Sequence, residues 1–216
     1  MQHSVNLTPD DIKIQQKKDN HISNMLVSKQ DRNQLQSNIC TIIHPAKFRG
    51  VNYGMNANAF RHFYDYHFTE NRNIWDRFIT PLPQEHFTQH VDYSHGSVRD
   101  QIVHLMSCDD TWFSALRDVE VSEPLNPAHF EDRNIIRARW DGIEQSMRDY
   151  LAALRDDMLF EKPFAEGEDK DLILWQVLLH VANHGTDHRA QVLRSLNDLG
   201  MKTTSQDYIF YVDDHP

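Results

Sequence analysis

Cysteine is scarce: the 216 residues include two, Cys40 and Cys108. Two thiols cannot make a disulfide framework, so the chain reads as cytoplasmic. Glycine and proline are also few, at 7 and 8, which excludes collagen-like and low-complexity architectures. Basic residues are in deficit, with 22 Lys and Arg against 32 Asp and Glu, and the resulting charge of −10 repels phosphate backbones. Nucleic acid is therefore not an expected partner. No run of 18 apolar residues is present, and the first 30 residues hold nothing more apolar than Met25-Leu26-Val27. Neither a membrane span nor a secretory signal is expected. No internal repeat is visible. What is present is 39% apolar and 10% aromatic residues, enough for one globular domain or a domain plus an appendage, together with an unusually large complement of 14 histidines.

Composition breaks near Met55. Residues 1–54 carry 7 basic and 4 acidic residues, no Glu and no Trp, whereas residues 55–216 carry 15 basic and 28 acidic groups, a net −13, and all four Trp. The first segment lacks the apolar surface to offset its ordering entropy and is expected to be a poorly structured extension. Translation from Met55 and a short docking element around Ile39 to Ile43 are the alternatives.

Beyond Met55 the apolar period is helical. Phe60, Tyr64, His67, Asn71, Ile74 and Phe78 form one stripe of a first helix that stops before Pro81 and Pro83. Ser97 with Asp100 reads as an N-cap and first-turn acid opening a second helix with the stripe Gln101, Leu105, Cys108, Trp112, Ala115 and Val119. A third helix spans roughly 131–156 on Ile136, Trp140, Ile143, Met147, Tyr150 and Leu154. The fourth runs from about Leu172 to Leu199 and ends at Gly200, a residue suited to a left-handed C′ position. Four long amphipathic helices without a convincing strand predict an all-α four-helix bundle. Its linkers, about 17, 11 and 15 residues, are long enough for crossovers.

The chemistry-bearing stretch lies on the fourth helix: His180-Val-Ala-Asn-His184-Gly-Thr-Asp-His188-Arg189. At 100° per residue, His184 and His188 face the core with Val177 and Val181, while His180 lies on the shoulder, about 12 Å along the axis from His188. Histidines at i and i+4 stand roughly 5–6 Å apart, a span that two metal bonds of about 2.0–2.1 Å can bridge. A lone histidine on an apolar face is ordinarily core packing. Two side by side are costly to bury unless each ring nitrogen is satisfied, which a divalent cation does for both. A third ligand must come from another helix, and His104 is the candidate, with His67 beside Asn71 as competitor. Three imidazoles leave a fourth position open, although Cys108, one turn beyond His104, could close it. Arg189 reads as a helix-surface ion-pair residue, or else as an anchor for an acidic substrate group. Asp109-Asp110 and Asp156-Asp157 read as surface or helix-end charge. Val181 occupies the place of a metalloprotease's Glu base, and no GxSxG, P-loop or GxGxxG occurs.

Leu178 to Val192 resembles the last-helix signature of the DinB/YfiT-like superfamily, and Ser97 to His104 through Trp112 resembles its second-helix signature. Tyr66 to Asn71 and Tyr208 to Tyr211 look like the opening helix and closing segment, so the resemblance covers residues 55–216. It implies a four-helix bundle of unusual connection order, frequently a homodimer, with a divalent metal on three histidines; three imidazoles suit zinc, nickel, iron or copper. Matching motif to motif, these are His104, His184 and His188. Asp187 stands where many relatives have an aromatic residue or His, and Ala190 where Gly is common. Characterised relatives include S-transferases and isomerases using low-molecular-weight thiols, so the resemblance implies a thiol cosubstrate and a small-molecule substrate. A non-enzymatic bundle stapled by metal, serving as a binding or interaction module, is the competing reading, and an empty bundle with packed histidines is the third.

Overall fold

A computed structural model describes residues 56–121 and 123–215. The expected extension over residues 1–54, the Met55 start and the docking element near Ile39 lie outside the described residues. All regular structure within them is helical: α1 (Ala57–Ile74), α2 (Gln84–Thr88), α3 (Val98–Leu116), α4 (Arg133–Ala153), α5 (Leu174–Asp198) and α6 (Tyr208–Asp214). None of these is long and apolar enough to cross a membrane.

The helix starts are held by side-chain caps that satisfy amide groups lacking an intrahelical partner. Asn56 Oδ1 accepts from Ala59 N, and Asp132 Oδ1 from Asn134 N. At α3, Ser97 Oγ accepts from Asp100 N while Asp100 Oδ2 accepts from Ser97 N, a reciprocal capping box. Asp156 is a helix-end residue of another kind: its carboxylate accepts from Ala57 N at the start of α1, tying the C-terminal end of α4 to that helix. Gly200 ends α5 at φ +87°, the left-handed geometry expected of it.

The four long helices form the bundle. α1 packs on α4 and α5, and α3 also packs on α4 and α5, so α1 and α3 stand diagonally opposite. The 80–96 connection, which carries α2, is thus a crossover. The core is continuous from Phe60 and Tyr64 of α1 through Leu105 and Phe113 of α3 and Ile136 and Met147 of α4 to Val177 and Val181 of α5. All six residues of the expected α1 stripe are buried. Its C-terminal end is not α-helical, however: Trp75–Ile79 is a π-helical turn, which lets Trp75, Phe78 and Ile79 all enter the core. The second helix is shorter than its stripe implied. It ends at Leu116, and Val119, expected on the core face, is 46% exposed.

Candidate metal centre

His184 and His188 are one turn apart on α5, and their ring centroids lie 4.2 Å from each other. His188 is fully buried and His184 half-buried. From α3, the His104 ring lies 4.6 Å from His188 and 5.6 Å from His184. Two helices thus bring the three rings into one neighbourhood, with His104 close to both members of the α5 pair; the ligand atoms of His104, His184 and His188 do not form a single group within 4.8 Å among the described residues. His180 is exposed, packs 5.2 Å from the Trp112 ring and is the outlying member of its row. Cys108 is buried with its Sγ 3.4 Å from His104 Nε2.

A further histidine is present that helical periodicity could not reveal. His95 lies in the turn before α3, with its ring stacked 3.7 Å from His104 and 5.3 Å from His188. Its only sequence signal is its residue type beside Gly96 and the Ser97 cap. The ligand-capable atoms fall into two overlapping groups within 4.8 Å: His95, His104 and His188, and His104, Cys108 and His184. Donors around a tetrahedral ion at about 2.0–2.1 Å are separated by roughly 3.4 Å, so these side chains suit a metal after small rotations. Imidazole and thiolate donors fit zinc, nickel or iron better than calcium or magnesium.

The electrostatics favour a neutral His104. Burial, followed by repulsion from His95, His188 and His184, holds the His104 pKa far below the ordinary imidazole value. A neutral ring is the metal-binding form.

Behind this cluster lies a second polar group, and it disposes of two expectations. Arg189 is not a surface ion-pair residue or a substrate anchor: it is 1% exposed and fully engaged. Its Nη1 donates to His67 Nδ1 and Asn71 Oδ1, its Nη2 to Thr186 Oγ1 and its Nε to Gln206 Oε1. Asp109 is not surface charge either, being 1% exposed. Arg189 can only donate, so His67 Nδ1 accepts, while Nε2 lies 3.2 Å from Asn71 Nδ2 and 3.4 Å from Asp109 Oδ2. His67, the competitor for the third ligand, is thereby committed to Arg189 and Asp109. Gly185 makes room for it, since a Cβ there would lie 2.7 Å from His67 Nδ1.

The DinB family profile matches residues 55–215. This chain belongs to the DinB family. It is also similar to Protein DinB of Bacillus subtilis (strain 168), 25% identical over 167 residues, covering 73% of this chain and 95% of that protein. The match to the family begins where the composition breaks.

Proposed function

We propose that this DinB-family protein is a metal-dependent enzyme that holds zinc, nickel or iron through His104, His184 and His188. Its reaction is S-transfer or isomerisation with a low-molecular-weight thiol, carried out in the cytoplasm by a homodimer. The observation that carries the reading is the convergence of imidazoles from α3 and α5 around a fully buried His188. Three histidine ligands are the donor set of reactive rather than closed sites. When bound, the ion lowers the pKa of an arriving thiol and so supplies the nucleophile. The chain contributes a neutral His104 and a core-anchored α5. Arg189, adjacent to His188, is bonded to α1 and to Gln206, which fixes the helix segment bearing the ligand pair.

Elemental analysis of purified wild type beside His184→Ala tests the metal, with near-stoichiometric ion expected in the first and little in the second. Incubating the loaded protein with a panel of cellular thiols and a model electrophile tests the chemistry. Absence of metal-dependent conjugation across the panel would remove the enzymatic part.

The proximity of Cys108 to His104 supports a second reading, a closed structural centre. In that case the metal staples the bundle and the protein is a binding module. Cys108→Ala separates the two: unchanged metal content keeps the three-histidine site, and lost metal favours the closed one.

A further inference from the structure

Resting on the metal reading above, we propose that His95 is the fourth ligand of the resting centre, delivered by the turn before α3, and that an incoming thiol must displace it.

The turn is constructed to present this ring. Ser94 has φ +52°, a left-handed conformation uncommon for a residue with a side chain, and Gly96 has φ +98°. The two bracket His95, so the chain reverses on both sides of it, and Gly96 N donates back to Tyr93 O. Gly96 is confined as well as bent: a Cβ there would lie 3.0 Å from His90 Nδ1. One residue later the Ser97–Asp100 capping box fixes the start of α3. On the other side, Ser94 Oγ bonds Gln191 Oε1, and Gln191 Nε2 donates to Asp187 Oδ2 on the same turns of α5 that carry His184 and His188. The turn is therefore referenced to both ligand-bearing helices.

The result is a half-buried imidazole stacked on His104 with a nitrogen within 4.8 Å of ligand atoms of His104 and His188. Ring nitrogens brought together from a turn and from two helices, those of His95, His104 and His188, form a donor set that one shared cation suits. Unlike the other three, His95 is carried by a turn rather than a helix, so its departure leaves the bundle intact. In a loaded centre, thiol binding would exchange the metal–nitrogen bond to His95 for one metal–sulfur bond, with the thiol proton passing to solvent. His95 thus keeps adventitious ligands out until a thiol competes successfully.

Cobalt(II) substitution tests this without recourse to turnover. Wild type, His95→Ala and His95→Gln are loaded with cobalt, their affinities measured by competition with a chromophoric chelator, and their visible spectra recorded. Each is then titrated with 2-mercaptoethanol. Loss of a ligand is expected to weaken metal binding by at least about 10–100-fold, the range that even outer-shell partners produce. The d–d bands should weaken as solvent enters, and the sulfur-to-cobalt charge-transfer band should rise at about tenfold less thiol in the variants than in wild type. Matching circular dichroism and melting of the three chelated proteins would show that folding is not the cause. Wild-type affinity, spectrum and thiol titration in both variants would overturn the role of His95 while leaving the metal centre standing. Failure of wild type to bind cobalt or zinc would instead remove the metal reading, and this inference with it.

Discussion

Arg189 Nη1 donates to His67 Nδ1 at 3.0 Å, joining the last long helix to the first across 122 residues of sequence, with both side chains inside the core. A guanidinium in such a place is tolerable only because its donors are matched by Asn71, Thr186, Gln206 and His67, with Asp109 contributing opposite charge nearby. Removing it strands several acceptors and leaves Asp109 without its cation. Arg189→Ala is expected to destabilise the protein by about 3–5 kcal/mol, measured by urea unfolding of the metal-free form. Arg189→Lys should be far from neutral, because an ammonium cannot span donors directed at four partners. A loss below about 1 kcal/mol for Arg189→Ala would show that water replaces the network.

Gly185 reverses a familiar expectation. Glycine inside a helix ordinarily costs about 1 kcal/mol relative to alanine, so Gly185→Ala would stabilise an exposed helix. Here the added Cβ would meet His67 Nδ1 at 2.7 Å and Arg189 Nη1 at 3.2 Å. Neither neighbour is a flexible side-chain end, because each is bonded to the other. Net destabilisation of about 1–3 kcal/mol is expected from overpacking, seen as a lower melting temperature of chelated protein. A raised melting temperature would mean that α1 and α5 can separate without penalty.

Ser97 serves the helix and the candidate centre together. Its hydroxyl accepts from Asp100 N, and it follows directly on the turn that presents His95. Ser97→Ala should cost about 1 kcal/mol through the lost cap. If the cap also positions the turn, Ser97→Ala should reduce metal affinity, whereas Asp132→Ala, which removes the cap of α4, a helix that carries none of the candidate ligands, should lower stability alone. Equal metal affinity in both variants would confine Ser97 to helix stability.

Much of this architecture is legible in residue spacing. The α1 stripe, the Ser97–Asp100 start of α3, the Gly200 stop and the i,i+4 pair His184 and His188 follow from helical periodicity and capping chemistry, which are local. What was not legible is what depends on contacts made elsewhere. The π turn at Trp75–Ile79 looks like ordinary helix in sequence, because one inserted residue changes the register without changing composition. Arg189 and Asp109 read as surface charges since burial of a charge depends on partners from α1 and the segment around Gln206, which no local pattern supplies. His95 belongs to no periodic element, so nothing but the three-dimensional turn brings it to His104.

Acid should weaken the protein before it weakens typical helical bundles. Burial lowers the His67 pKa, with Asp109 opposing only in part, and burial with neighbouring rings lowers that of His104. In the unfolded chain both should titrate near about 6.5. Below that value the unfolded state takes up protons that the folded state refuses, so stability is fully present above about pH 6.5–7 and is lost as pH falls toward the depressed folded values. Each histidine contributes a slope of up to about 1.4 kcal/mol per pH unit within that window. Urea midpoints of metal-free protein at pH 7.5, 6.5 and 5.5 should therefore decline, with most of the decline between the last two. His67→Gln should flatten part of the slope while leaving the His104 part. With metal bound the fall should steepen, since protons then compete with the ion for its ligands. Midpoints that stay level or rise on acidification would mean that both rings accept a proton inside the fold, which neither the buried Arg189 beside His67 nor the histidines around His104 should permit.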